Sequence, residues 1–145
     1  MASGPELDEM LCFALYTAQH QVTQIYRRLL APWRLTYPQY LVLVALWRDE
    51  ELTVSRLGEL LGLDSGTLSP LLKRMAERDL VARTRAREDE RRVTVRLTDR
   101  GRELRDELAD IPRCLGEQLR IDARSAEEFV ERLHGLTRAI GTTKA

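Results

Sequence analysis

The 145-residue chain has few of the residues that build disulfide-stapled, metal-binding or membrane proteins. It contains two cysteines, two histidines and no long apolar run. Cysteines this few and this far apart are expected to be free thiols. The histidines are isolated from each other, so neither a metal site nor a bound cofactor is expected. The amino terminus lacks a basic-then-apolar signal, so we expect a cytoplasmic protein that does not contact membranes.

Net charge is also absent, because 23 basic residues balance 23 acidic ones. Composition alone therefore gives no indication of a nucleic-acid partner. The charges are unevenly distributed, however, with eleven Lys or Arg against six Asp or Glu between Lys73 and Arg102. An arbitrary charge run is usually just a solvated face. A cation-rich element inside a neutral chain instead favours contact with phosphate.

Two short helices separated by a glycine are predicted around the start of this region. Apolar residues recur at the i, i+3, i+4, i+7 spacing of one helical face over 54–61 and again over 65–79. Gly62 supplies the left-handed turn that ends the first helix, and Asp64 or Ser65 can cap the second. Because a proline inside a helix removes a backbone hydrogen bond, we expect a short or bent first turn at Pro70.

The polar side of the second helix carries hydroxyls followed by two cations. Hydroxyls bond base edges or phosphates and cations neutralise phosphates, as a helix in a DNA major groove requires. The candidate DNA-binding residues of this helix are Ser65, Thr67, Ser69, Lys73 and Arg74.

Two strands are predicted next, over 80–87 and 91–98, around an acidic turn. In the second strand apolar and polar residues alternate, which is the period of a half-buried strand. Basic side chains flank the turn; we expect Asp89 to hold one of them and another to enter a minor groove. The candidate DNA-binding residues of this ribbon are Arg85, Arg87, Asp89, Arg91 and Arg92.

Amphipathic helices are predicted on both sides of this central unit. The first runs over 5–31, and a capping box at Thr36 and Gln39 opens a second helix over 37–47. The residues that this second helix is expected to bury are Leu41, Val44 and Trp47.

Beyond the ribbon, a long helix capped by Thr98 is predicted to bend at Pro112, and a capping box at Ser125 to open the last helix. The apolar stripes of these terminal helices exceed what the central unit can cover. We therefore expect them to pair with a second copy of the chain around a two-fold axis.

These elements together predict a mainly α fold with a small β-ribbon, namely a winged helix-turn-helix with amino- and carboxy-terminal dimerisation helices. Residues 36–98 would form the DNA-binding region. Residues 1–35 and 99–145 would form the dimerisation region of a single intertwined domain per subunit. Two recognition helices related by a two-fold axis would read half-sites about one helical turn apart on a pseudo-palindromic operator.

Motifs at 64–75, 88–93 and 97–101 resemble those of the MarR family of bacterial transcription regulators, and the resemblance covers essentially the full chain. The segments LCFALY at 11–16 and LTYPQYL at 35–41 look more narrowly like the organic hydroperoxide resistance regulators. This narrower match is specific because it joins a cysteine and tyrosines at fixed separations.

The resemblance implies a peroxide sensor. In that subgroup the cysteine matching Cys12 is the peroxidatic thiol, and the tyrosines matching Tyr26 and Tyr37 hydrogen-bond to it from the partner subunit. In its two-cysteine members, a thiol on the helix after the wing resolves the oxidised cysteine through an intersubunit disulfide, and Cys114 matches that thiol in position. In its one-cysteine members a small external thiol takes this role, and Cys114 would then only pack.

The expected chemistry follows from the residues around Cys12. Peroxide cleavage requires a thiolate, and no Lys or Arg lies within a helical turn of Cys12, so two phenol donors would replace the missing cation. Apolar neighbours, among them Phe13 and Tyr16, should favour organic hydroperoxides over hydrogen peroxide. The sulfenic acid would condense to a disulfide that moves the recognition helices apart or together. We therefore expect a repressor released by oxidation and restored by a thiol reductant.

Three alternatives remain open. A MarR-type repressor released by a phenolic or other aromatic ligand would keep the fold and leave Cys12 as ordinary packing. A thiol-dependent peroxidase would consume many peroxides per Cys12, but no substrate or reductant site accompanies the thiol, so we do not expect an enzyme. A zinc sensor is disfavoured because His20 and His134 lack ligand spacing.

Overall fold

The computed structural model describes residues 6–85 and 92–142 and divides the chain into two compact units, 1–110 and 111–145. Among the described residues, no helix combines the length and apolarity needed to cross a membrane. The elements of the first unit are α1 Leu11–Leu30, α2 Tyr37–Asp49, β1 Glu51–Thr53, α3 Val54–Leu61, α4 Ser65–Glu77, β2 Val81–Arg85, β3 Val93–Leu97 and α5 Asp99–Glu107. Those of the second unit are α6 Ile111–Leu119 and α7 Ala123–Thr142.

Helix α1 begins later than predicted. Residues 7–9 form a 3-10 turn and Met10 is extended, so a helix continuous from the amino terminus is wrong; Pro5 itself lies outside the described residues. Leu7 and Leu11 are 61% and 62% exposed, so no packing within this unit extends the helix backwards. Helix α1 ends at Leu30, and a second 3-10 turn follows it over 31–33.

The predicted capping box of α2 is confirmed. The Thr36 hydroxyl accepts the backbone N–H of Gln39 at 3.4 Å, and the Gln39 side chain accepts the backbone N–H of Thr36 at 3.0 Å. Both orphan donors are thereby satisfied at the helix start. Thr36 and Gln39 were therefore sufficient to predict where this helix begins.

The predicted buried face of α2 is wrong. Val44 is 41% exposed, and Leu41 and Trp47 are only half-buried. The helix is apolar on several faces, so periodicity could not decide which face meets the core. The residues that it buries completely are Val42, Leu43 and Leu46.

Helices α3 and α4 form the predicted helix-turn-helix. Gly62 ends α3 with φ 64°, the left-handed region that glycine enters at no steric cost, and Asp64 caps α4 by accepting the backbone N–H of Thr67 at 2.8 Å. Helix α4 runs unbroken through Pro70, so its first turn is not shortened. The predicted buried face of α4 is confirmed, with Leu68, Leu71, Leu72 and Met75 in the core.

The ribbon is part of a three-stranded antiparallel sheet in the order β1-β3-β2. Sequence reasoning predicted β2 and β3 but not β1, whose three residues pair with β3. A three-residue strand has little local signal, and its pairing partner is more than forty residues away. In the register, Glu51 lies opposite Arg96, which favours this alignment.

The single bent helix predicted after the ribbon is wrong, because two helices, α5 and α6, occupy its place. Pro112 has no N–H to donate to the carbonyl of Leu108, so the ladder breaks there and the proline falls in the first turn of α6. Helix α5 packs on α2 and β3 within the first unit. Its predicted cap is confirmed, since Thr98 accepts the backbone N–H of Gly101 at 3.1 Å.

In the second unit, the capping box predicted at Ser125 is also wrong. Asp122 caps α7 instead, since its carboxylate accepts the Ser125 backbone N–H at 3.0 Å and the Ser125 hydroxyl at 2.7 Å. These two bonds to Ser125 lower the pKa of Asp122. Helix α7 keeps large apolar side chains exposed, namely Phe129, Val130, Leu133 and Ile140.

Candidate nucleic-acid interface and thiol site

The polar side of α4 is exposed along its length. Its opposite side lies in the core, so the fold itself turns the hydroxyls and cations outwards. Ser69 is half-buried, whereas the other four candidate residues of the helix are exposed; the Lys73 ammonium lies 4.0 Å from the Glu77 carboxylate. Four of the five side chains are therefore exposed to a large polyanion such as DNA.

A groove of about 580 Å³ runs between the starts of α3 and α4 and the sheet. The structure brings Ser65 and Ser69 of α4 together there with Arg92. No acidic side chain of the described residues lines this groove. Two helix N-termini, which carry partial positive charge, also open onto it, so the groove suits a phosphate. The lining residues that sequence reasoning missed are Thr53, Val54, Ser55, Arg83 and Val93.

The missed residues had weak local signals. Ser55 is the second residue of α3. Serine is common in the first turn of helices, so its presence there did not indicate a binding residue. Arg83 lies opposite Val95 in the β2–β3 register, and only that pairing turns it towards the groove. Of the predicted ribbon residues, Arg85 and Arg92 are exposed, whereas Arg87, Asp89 and Arg91 lie outside the described residues.

The cations of the segment 73–102 divide into two groups. Arg78, Arg100 and Arg102 bond to backbone carbonyls or carboxylates of the chain itself. A second group forms no salt bridge with any residue that the structure describes, and its members are Arg74, Arg83, Arg85, Arg92 and Arg96. The charge excess seen in the sequence therefore survives, in part, as cations of α4, the β2 and β3 strands and Arg92 that form no salt bridge with a described residue.

Cys12 lies in the first turn of α1 and is exposed, and Cys114 lies in α6 and is half-buried; both are free thiols. Along α1, the Phe13 ring stacks on Tyr16 with ring centroids 6.4 Å apart, and Tyr16 stacks on His20 at 6.3 Å. The thiol is thus accompanied by aromatic side chains of its own helix. Within the single chain, the Cys12 thiol is accessible to solvent.

Tyr26 and Tyr37 come together although they belong to different helices. Their rings stack with centroids 4.1 Å apart, and Tyr40 and Trp47 continue the aromatic cluster at 5.9 Å from Tyr26 and 6.1 Å from Tyr40. Burial, with smaller contributions from Tyr37 and Tyr40, raises the pKa of Tyr26 well above its usual value. Tyr26 therefore stays protonated and keeps its O–H as a hydrogen-bond donor.

The thiol and this phenol pair are not together within one chain. Cys12 and Tyr26 lie fourteen residues apart on α1, and a helix rises by about 1.5 Å per residue, so about 21 Å separates their positions along the axis. A contact between Cys12 and the phenol pair therefore requires two chains.

Comparison with known proteins now identifies the family. Residues 16–108 match the family model described as transcriptional regulator SarA/Rot. The chain belongs to this family of transcriptional regulators.

Among the described residues there is no cluster of three or more side chains able to hold a metal ion.

Individual relatives agree with this assignment. The chain is 46% identical over 124 residues to the organic hydroperoxide resistance transcriptional regulator of Bacillus subtilis, which covers 86% of this chain and 82% of the relative. It is 52% identical over 110 residues to the regulator TtmR of Methylorubrum extorquens, covering 76% of this chain but only 56% of TtmR. The predicted resemblance to the organic hydroperoxide resistance regulators is confirmed.

Solved structures confirm the mainly α winged-helix fold. Reduced AbfR bound to DNA superposes with a TM-score of 0.78 at 33% identity, over 90% of this chain and 92% of that one. Disulfide-formed AbfR superposes with a TM-score of 0.63 at 32% identity, over 88% and 89%; AbfR is a protein of Staphylococcus epidermidis. The chain is a transcriptional regulator and not an enzyme, so the peroxidase alternative is set aside.

Proposed function

We propose that this chain is a homodimeric, DNA-binding repressor that senses organic hydroperoxides through Cys12 and leaves its operator when that thiol is oxidised. The stacked Tyr26–Tyr37 pair carries the proposal, because it holds two phenols from different helices together, with ring centroids 4.1 Å apart. The names of relatives point the same way: one is an organic hydroperoxide resistance regulator, and AbfR is known reduced on DNA and with a disulfide.

The sensing pocket is completed by the second subunit. Cys12 and Tyr26 lie at opposite ends of α1, so two antiparallel α1 helices that cross near Gln19 would bring the Cys12 of one subunit to the phenol pair of its partner. Two O–H donors at the sulfur stabilise a thiolate without a neighbouring cation. The apolar rings of Phe13 and Tyr16 provide the surface that selects alkyl groups.

Exposed apolar surface supports the dimer. Leu7 and Leu11 before and at the start of α1 and Phe129 and Ile140 of α7 are each more than half exposed in the single chain. Large apolar side chains left exposed in each unit are typical of an interface. Residues 1–35 and 99–145 accordingly form the dimerisation region and residues 36–98 the DNA-binding region of the proposed assembly.

The DNA contacts follow from the groove and from α4. The exposed hydroxyls of α4 would face base edges in the major groove, while Arg83 and Arg92 would neutralise phosphates beside it. Arg85 and the ribbon residues Arg87, Asp89 and Arg91 extend this surface towards a minor groove. A two-fold dimer then fits a pseudo-palindromic operator.

Oxidation proceeds in two balanced steps. The Cys12 thiolate attacks one peroxide oxygen, the O–O bond breaks, and the products are a Cys12 sulfenic acid and an alcohol once the alkoxide takes up a proton. The partner's Cys114 thiol then displaces hydroxide from the sulfenic sulfur, giving a disulfide and water. A thiol reductant restores both cysteines. The disulfide pulls α1 of one subunit towards α6 of the other and changes the spacing of the two α4 helices.

The proposal is tested by following DNA binding and disulfide formation on the same samples. Wild type, Cys12→Ser and Cys114→Ser are treated with one equivalent of cumene hydroperoxide, then run in a gel-shift assay and on a non-reducing gel. We expect wild type to leave DNA and form a cross-linked dimer, Cys12→Ser to stay bound, and Cys114→Ser to form no dimer. Cys114→Ser is the matched control for nonspecific thiol oxidation.

Two results would contradict the proposal. If wild type stays bound to DNA after oxidation, peroxide is not the signal that releases it. If Cys12→Ser is still released, a residue other than Cys12 senses the peroxide. Release by a salicylate-like ligand without peroxide would favour the alternative in which an aromatic ligand is the inducer. A Cys114→Ser variant that is still fully released would mean that an external thiol resolves Cys12.

A further inference from the structure

One arginine joins the end of α4 to the end of α1. Arg78 follows α4 directly, and its guanidinium donates from Nη1 to the carbonyl of Arg34 at 2.7 Å and from Nη2 to the carbonyl of Trp33 at 2.7 Å. These carbonyls close the turn after α1, where Arg34 is left-handed with φ 53°. Carbonyls at a helix end lack partners within the helix, and a cation there is favourable.

Trp33 is also held from a second side. Its indole Nε1–H donates to Glu107 Oε2 at 2.8 Å, and Arg100 bonds to the same carboxylate. The Arg100 guanidinium, followed by the Trp33 indole, lowers the pKa of Glu107. We refer to Arg78, Trp33, Glu107 and Arg100 as the Trp33 clamp. It joins the ends of α1, α4 and α5 at one residue, since Arg78 donates to the backbone carbonyl of Trp33 while Glu107 accepts from its indole.

The Trp33 clamp lies on the segment that carries the phenol pair. Tyr26 precedes Trp33 by two helical turns, and Tyr37 follows Arg34 by three residues. Leu35 between them is buried, and its N–H bonds back to the carbonyl of Leu30 at 3.3 Å, so the connection is short and ordered. A displacement at the phenol pair therefore reaches the clamped carbonyls through a few residues of packed chain.

The other end of the Trp33 clamp fixes the recognition helix. After Arg78, Asp79 is left-handed with φ 56°, and the N–H of Leu80 bonds to the carbonyl of Met75 at 3.0 Å. Arg78 is thus rigidly attached to the last turn of α4. Although it belongs to the cation-rich segment 73–102, its donors are directed at the chain's own backbone.

We propose that Arg78 is a positioning residue that couples the thiol site to the recognition helix, by making α4 follow the α1–α2 turn when Cys12 is oxidised. This inference rests on the proposed function. Two charge-assisted hydrogen bonds to adjacent carbonyls restrict both the distance and the orientation of the two helix ends. Without them, the turn can move while α4 stays in the groove of the DNA.

The test compares operator affinity in the reduced and oxidised states for wild type, Arg78→Ala and Arg105→Ala. Arg105 is the matched control: it is an exposed arginine of α5 that forms no salt bridge with a described residue. We expect the ratio of oxidised to reduced dissociation constants to fall by about tenfold in Arg78→Ala and to be unchanged in Arg105→Ala. Arg78→Lys, whose donors all lie on one nitrogen and cannot span both carbonyls as the guanidinium does, should lie between. Trp33→Phe removes only the indole bond to Glu107 and keeps both Arg78 bonds, so it should change the ratio less than Arg78→Ala.

Each other outcome is decisive. Wild type that oxidation does not release overturns the proposed function and the coupling with it, whereas wild type and Arg78→Ala released equally overturn the coupling alone. If Arg78→Ala weakens binding equally in both redox states and flattens its salt dependence, Arg78 contacts phosphate and the inference is wrong. If Arg78→Ala fails to fold, Arg78→Lys decides, because it keeps the positive charge but cannot reproduce the two-pronged contact with both carbonyls; an unchanged ratio in Arg78→Lys then overturns the coupling.

Discussion

Replacing Gly101 with alanine tests the packing of α5 against the end of the recognition helix. A Cβ at this position would lie 2.2 Å from the carbonyl oxygen of Leu80 and 3.0 Å from Leu97 Cδ2. The Leu80 oxygen cannot move freely, because it accepts the N–H of Thr98 at 3.3 Å. Gly101 is itself held, since its carbonyl accepts the Trp47 indole N–H at 2.8 Å.

The expected cost follows from these contacts. Overpacking of this kind costs about 1–3 kcal/mol, and each hydrogen bond lost as the helix shifts adds about 1 kcal/mol. Gly101→Ala should therefore lower the free energy of unfolding by about 3–5 kcal/mol and the melting temperature by about 10 °C. Operator affinity should fall as well, because the α4–β2 turn moves with Leu80.

The assay is thermal and urea unfolding followed by circular dichroism, at one fixed protein concentration because the proposed assembly is a dimer. Gly116→Ala is the control: it lies inside α6, and apart from its chain neighbours and the backbone of its own helix, no atom of the described residues lies within 4 Å of its added Cβ. The same substitution there should stabilise the chain by about 0.5–1 kcal/mol. A Gly101→Ala variant that melts within about 2 °C of wild type would refute the close approach of α5 to Leu80.

Three further predictions concern the aromatic cluster, the cap of α2 and the core. Because burial raises the pKa of Tyr26 above its usual 10.0, the folded chain holds this proton more tightly than the unfolded chain. The stability that this proton contributes is complete below about pH 10 and is lost as the pH rises above it. The free energy of unfolding measured in urea should therefore fall more steeply above about pH 10 in wild type than in Tyr26→Phe. Thr36→Ala, which removes one half of the capping box, should cost about 1 kcal/mol in urea unfolding, and Thr36→Ser should restore it. Leu72→Ala removes a completely buried side chain of α4 and should cost about 2–5 kcal/mol, with an unchanged m-value.

Local signals in the sequence predicted the helix-turn-helix well. The cap at Asp64, the left-handed Gly62 and the apolar face of α4 each depend on residues within one or two turns. The capping box at Thr36 is of the same kind. One local prediction failed: the carboxylate of Asp122, rather than the side chain of Ser125, makes the capping bonds of α7.

Other errors arose from packing between distant segments. Strand β1 exists because β3 offers it a partner, and the buried face of α2 was chosen by the helices that cover it. The break between α5 and α6 shows a third cause, since a proline that sequence reasoning placed inside a helix became part of a new helix start. None of these errors changes the predicted fold class, because each concerns the bounds or the packing of an element and none removes the helix-turn-helix or the ribbon.

The sequence by itself determined the helix-turn-helix, the polar face of its second helix and the two thiols and tyrosines of the candidate site, because caps, turns and periodicity act over a few residues. The tertiary structure decided which of these groups meet. It set Ser65 beside Arg83 and Arg92, stacked Tyr26 on Tyr37, and attached Arg78 to the carbonyl of Trp33. Such contacts join residues far apart in the chain, and they form only when the core fixes the positions of the elements that carry them.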